Sequence, residues 1–182
     1  NGRGGHLLMT FSLFVLLGTL VVIMLLIFKQ AIAAFISEKN PLVTRLKEYR
    51  WFHNPWIAGL FLFGINAFLF FSTVILLYLL LILIIPYVHL FVMLLAVIGS
   101  IYVWIAFNKA WSGTKQGRLK MAFIGSSFYI LMCGICICRF ILLEPSYPGE
   151  DIFMAAFGLM IGIFVTTVAA VTCILFAGFA EK

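Results

Sequence analysis

Apolar residues come in runs longer than a globular helix needs, separated by short stretches that hold nearly all the charge. A helix rising about 1.5 Å per residue needs about 20 mainly apolar residues to cross roughly 30 Å of bilayer hydrocarbon. Residues 7–28 reach that length before Lys29 and Gln30 end the run. The Ala31-Ile32-Ala33 triplet resembles a small-residue cleavage site. The run nevertheless exceeds the ~7–15 residues of a signal-peptide core, and positive charge lies mostly after it, so a retained helix is expected.

Residues 56–107 contain no Asp, Glu, Lys or Arg. As one helix they would extend about 78 Å, more than two hydrocarbon cores, so the run must fold back once. Ile85-Pro86-Tyr87 is the best place to break it, because proline removes a helical donor and disfavours the α region for the residue before it. This predicts spans at 56–85 and 87–107. Two more follow at 121–143 and 152–179, parted by Glu144-Pro145-Ser146-Tyr147-Pro148-Gly149-Glu150-Asp151, a turn with two prolines, a glycine and three acids. The expected fold is an all-α integral membrane protein, one bundle of five transmembrane helices over residues 1–182.

Composition agrees with that pattern. Of 182 residues 65% are hydrophobic and 10% charged, against about 45–50% and about 25% in an ordinary globular domain. Such a chain has too little polar side chain for a soluble enzyme or a disordered segment, and too little cysteine for a disulfide-rich secreted module.

Five spans place loops 37–55 and 108–120 and the C-terminus on one side. Lys29, Lys39, Arg45, Lys47, Arg50, Lys109, Lys115, Arg118, Lys120 and Lys182 fall there, ten of the twelve basic residues, leaving Arg3 and Arg139 for the other. By the positive-inside rule that face is cytoplasmic, with the N-terminus outside and the plasma membrane the expected location. The formal balance is +7 on that face and −1 on the other. Basic loops so placed attract anionic lipid, and the aromatic interleaving of a nucleic-acid module is missing, so nucleic acid is not an expected partner.

In the first of these loops Asn40-Pro41 reads as a helix start, with Asn as cap and Pro in the first turn. Leu42, Val43, Leu46 and Tyr49 then share one face, predicting a short interfacial amphipathic helix followed by Trp51, Phe52 and Trp56 at headgroup depth. Arg45, Lys47, Arg50, Lys115, Arg118 and Lys120 are the candidate contacts for lipid headgroups or a cytosolic partner. In the last span Ala155, Gly158, Gly162, Thr166, Ala169 and Cys173 fall three or four apart on one stripe, and Gly158 and Gly162 make a GxxxG pair, predicting close helix packing within the chain or between copies.

Few polar groups enter the spans. Asn66 lies about 15 Å along its span, near the expected midplane, where its amide needs a partner. Ser72, Thr73, Ser126, Ser127, Thr166 and Thr167 can bond their own helices. His89, past the proline, and Arg139, about 27 Å along the fourth span, belong to the outer level, where Arg139 can pair with Glu144, Glu150 or Asp151 or bind an anion. Cys133, Cys136 and Cys138 form C-x-x-C-x-C, but on a helix Cys138 turns away from Cys136 and no His cluster accompanies them, so packing rather than a metal or cofactor is expected.

The chain contains no nucleophile elbow, H-E-x-x-H, phosphate loop or intramembrane carboxylate pair. The expected function is a non-enzymatic membrane subunit that assembles with itself or a larger complex, organises or senses the membrane, and docks a cytosolic partner or anionic lipid through its basic loops. A channel or small-solute carrier lined by Asn66, Ser72 and Thr73 is one alternative. A lipid or thiol-redox enzyme using Arg139, His89 and the cysteines is the other.

Overall fold

The computed structural model describes residues 40–84, 87–145 and 152–179, together with Leu16, Leu20, Ile23, Met24 and Ile27. Apart from those five positions, which are helical and exposed, the expected first span lies outside the described residues. Ile85, Pro86, Glu150 and Asp151 also lie outside them.

The described residues form helices and no strands. A short helix α1 (Pro41–Glu48) is followed by a 3-10 turn (Arg50–His53) and four long helices: α2 (Pro55–Ile82), α3 (Val88–Ala110), α4 (Lys115–Ile141) and α5 (Phe153–Cys173), the last continued by a π-helical turn (Ile174–Gly178). Each long helix is apolar and long enough to cross a membrane; α2, with 28 residues, extends about 42 Å.

Local chemistry explains the boundaries. Asn40 Oδ1 accepts from the Leu42 amide at 3.1 Å, with Pro41 in the first turn of α1. The same device starts α2, where Asn54 Oδ1 accepts from the Trp56 amide at 3.0 Å and Pro55 follows. Each cap satisfies a helix-end donor and contributes about 1 kcal/mol. Thr114 serves α4: its Oγ1 accepts from Gly117 N at 3.1 Å and its carbonyl from Arg118 N at 3.0 Å. The connection between α3 and α4 is therefore shorter than the expected loop 108–120, and Lys109, Lys115, Arg118 and Lys120 stand on helices.

Helix α2 stops at Ile82 and α3 starts at Val88, close to the predicted break. Without Gly, Asn or Asp, the turn is made with Ile84 at φ 52° and Tyr87 at φ 64°. Left-handed backbone costs an ordinary residue about 1–2 kcal/mol, so this turn is held by the helices on either side rather than by its own sequence.

Contacts divide the chain into two compact units. One comprises Lys29–Phe128 and Cys173–Lys182. Within it α1 packs on α3 by burying Val43 and Leu46. This corrects the expected single lipid-facing stripe: Leu42 and Tyr49 are exposed while Val43 and Leu46 serve the protein core. Phe52 is likewise enclosed, edge-on to Phe107 at 5.5 Å and Trp111 at 6.0 Å, instead of sitting among headgroups. Helices α2 and α4 cross closely at two glycines. A Cβ on Gly125 would stand 2.4–2.9 Å from Leu62 side-chain atoms, and one on Gly59 would stand 2.7 Å from Ile124 Cβ and 3.0 Å from the Met121 carbonyl. Phe63, Phe70 and Phe71 then surround Phe128 at ring distances of 5.5, 5.5 and 6.0 Å.

The other unit comprises Asn1–Phe28 and Tyr129–Thr172. In it the second half of α4 meets α5. Cys133 Sγ lies 3.4 Å from Thr167 Oγ1 and 3.9 Å from the Ile163 carbonyl, and a Cβ on Gly162 would stand 3.2 Å from Cys136 Sγ.

Candidate functional site

Two polar assemblies stand out, both within the unit built on Lys29–Phe128. The first centres on Asn66, which has no exposed surface. Its Nδ2 donates to the Gly125 carbonyl at 3.0 Å and to Cys173 Sγ at 3.7 Å, and its Oδ1 accepts from Trp104 Nε1 at 2.9 Å. One side chain thus ties α2 to α3, α4 and the end of α5. The close approach at Gly125 exposes that carbonyl to a second donor, which a larger residue would block. The need for a partner was legible in Asn66; the partners Trp104 and Gly125 were not, because one reads as an apolar ring and the other as a gap.

The second assembly gathers helix ends. Tyr102 Oη donates to Asn40 Oδ1 at 3.0 Å, fixing the start of α1 against α3. Buried Asn108 donates through Nδ2 to the Phe176 carbonyl at 2.7 Å and the Phe179 carbonyl at 2.6 Å, and Arg118 Nε donates to the Gly178 carbonyl at 3.2 Å. The last carbonyls of a helix lack intrahelical donors and carry partial negative charge, which an amide and a guanidinium satisfy. Arg118, a candidate headgroup contact from sequence, is thus engaged inside the protein. Arg45, Lys47, Arg50, Lys115 and Lys120 are exposed around these ends, with Glu48 the acid among them. Asn108 was missed by sequence reading, although an amide just inside the last charged residue of a span is the signal that marks it.

The other candidates are dispersed. The small-residue stripe of α5 divides: Thr166 and Cys173 are buried, Gly162 and Ala169 half-buried, and Ala155 and Gly158 exposed, with open space where a Gly158 Cβ would sit. Thr166 bonds back to the Gly162 carbonyl at 2.7 Å. Thr73 Oγ1 donates to its own helix at Leu69, 2.7 Å away, while Ser72 is exposed, so neither extends the Asn66 assembly. His89 is exposed at the start of α3. Arg139 and Glu144 are exposed, and no ion pair joins them among the described residues. Cys133 and Cys136 turn toward α5 whereas Cys138 is exposed, and all are free thiols. Among the described residues no three His, Cys, Asp or Glu side chains converge on a point that could hold a metal ion.

These features, described residues that are helical without strands and include four membrane-length apolar helices, are those of a multi-pass membrane protein. No protein-family model, curated protein or solved structure matches the chain.

Proposed function

We infer that the chain is a non-enzymatic, five-span subunit of the plasma membrane, with the N-terminus outside and the basic helix ends in the cytoplasm, where they dock a cytosolic partner or anionic lipid. The observation that carries this reading is the gathering of α1, α3, the start of α4 and the end of α5 into one hydrogen-bonded platform fringed by Arg45, Lys47, Arg50, Lys115 and Lys120. A platform held this firmly presents its charges in a fixed arrangement, which a mere positive-inside signal does not need.

Bilayer depth follows from the same contacts. Trp104 lies four residues before Asn108 and sixteen after Val88, about 6 Å and about 24 Å along α3. Together these match the roughly 30 Å core, with Asn108 and Lys109 at one boundary and the apolar turn at the far one. Asn66, level with Trp104, then lies nearer the cytoplasmic boundary than the midplane reached by counting from Trp56. Tyr87 and His89 are left as the interfacial side chains of the outer turn.

The test is purification of the full chain in mild detergent, with binding to copurifying protein and to anionic vesicles measured at low and high salt. Binding that falls with salt and with neutralisation of the exposed basic residues supports the reading. A chain that binds neither, or binds with no salt dependence, contradicts it.

A further inference from the structure

Beside the platform runs an exposed strip that neither the fold nor the helix-end hydrogen bonds use. Leu42 and Arg45, three apart, fall on an exposed flank of α1 beside buried Val43 and Leu46, and exposed Tyr49 caps the helix end that follows. The Tyr49 ring stacks on Trp51 at 5.7 Å, and Trp51 meets Phe61 of α2 edge-on at 4.9 Å. Tyr49 is 52% exposed and Phe61 45%. Arg50 stands between the two aromatic residues in sequence and is exposed. Cationic side chains therefore border an aromatic path that continues into the exposed apolar face of α2, where Ile57 and Leu60 lie bare. A face of that composition on a membrane-length helix meets acyl chains.

We propose that this strip is a binding site for one anionic phospholipid of the adjoining leaflet, its phosphate held by Arg45 and Arg50 and an acyl chain lying along Tyr49, Trp51 and Phe61. Arginine forks suit phosphate oxygens, and amphipathic aromatic rings suit the boundary between headgroup and chain. Continuity with the lipid-facing surface of α2 favours a lipid over a cytosolic protein, which would need a surface clear of the bilayer. Glu48, three residues after Arg45, borders the same flank, so Arg45 and Arg50 leave the strip with a net positive charge of one. The inference rests on reading the basic end as a membrane-adjacent docking surface.

The test uses the full chain reconstituted in phosphatidylcholine vesicles containing either dibrominated phosphatidylglycerol or dibrominated phosphatidylcholine. Bromine quenches nearby tryptophan, and a Trp56→Phe background makes half-buried Trp51 the most accessible reporter, since Trp104 and Trp111 are buried. Stronger quenching by the brominated anionic lipid is expected. Arg45→Gln and Arg50→Gln should each lower that preference about five-fold, while Arg45→Lys/Arg50→Lys keeps most of it. An Arg139→Gln control, an exposed basic residue outside the platform, should change it little. Circular dichroism identifies a misfolded double variant, in which case the single variants decide. Equal quenching of the unmodified chain by both lipids overturns the proposal, as does a loss in the control matching that in the Arg45 and Arg50 variants. Impermeant labelling of Ser112→Cys separates the two failures: a cytoplasmic Ser112 with no lipid preference leaves the platform reading intact with a protein as its occupant, whereas an external Ser112 removes that reading itself.

Discussion

Replacing Asn66 by Leu keeps the branching and heavy-atom count of the side chain and deletes every hydrogen bond it makes. Trp104, only 4% exposed, then loses the acceptor for its indole N–H at 2.9 Å. A buried donor left without a partner costs about 1–3 kcal/mol. The Gly125 carbonyl and Cys173 lose one donated bond each, and such bonds between membrane helices average about 0.6 kcal/mol. Part of this is offset because the amide no longer has to be buried, which leaves a net loss of about 2–3 kcal/mol. Asn66→Leu and Trp104→Phe should also couple: the double variant removes donor and acceptor together, so its cost should fall short of the sum of the single costs by about 1–2 kcal/mol. Unfolding by sodium dodecyl sulfate in dodecylmaltoside, followed by far-ultraviolet circular dichroism, measures all four proteins without relying on tryptophan emission. Additivity within about 0.5 kcal/mol, or an Asn66→Leu protein as stable as the unmodified one, would refute the view that this knot holds the four helix segments together.

Glycine substitutions should separate the close contact at Gly125 from the open position at Gly158. Gly125→Ala drives a Cβ into Leu62 and should cost about 1–3 kcal/mol, whereas Gly158→Ala meets open space and should be neutral or gain up to about 1 kcal/mol from helix propensity, both read by the same unfolding assay. Asn108→Ala leaves the Phe176 and Phe179 carbonyls without that donor and should lower the melting temperature and raise protease cleavage near the C-terminus; unchanged cleavage would mean the cap is dispensable. In the folded protein Cys138 should react with maleimide while Cys173 reacts only on unfolding, which mass spectrometry of the labelled peptides can decide.

Hydrophobic run lengths located α2 through α5, with the start of α4 six residues earlier than expected, because a bilayer-length apolar stretch admits few other readings. Asn40-Pro41 announced α1, and Asn54-Pro55 carried the same signal unread inside the presumed loop. Helix facing was far less legible. Every face of an intramembrane helix is apolar, so periodicity cannot say which side meets protein, and GxxxG in α5 drew attention from Gly59 and Gly125, whose value depends on a crossing partner distant in sequence. The division of the α1 face had a similar cause: amphipathicity separates apolar from polar, but not a neighbouring helix from lipid. Arg118 read as a surface charge because its acceptor, the Gly178 carbonyl, is a backbone group with no side-chain signature.

The central claim, a multi-pass protein with its basic helix ends in the cytoplasm, is tested most directly by single cysteines at Ser112 and Ser146. They would be placed in a chain whose Cys133, Cys136, Cys138 and Cys173 are changed to Ala, then treated with an impermeant thiol reagent on intact cells and again after permeabilisation. Ser112 is exposed beside Lys109 and Lys115, and Ser146 lies in the proline-rich acidic segment between the last two expected spans. Labelling of Ser146→Cys in intact cells, with Ser112→Cys labelled only after permeabilisation, is the predicted result; the reverse pattern, or labelling of both in intact cells, would contradict it.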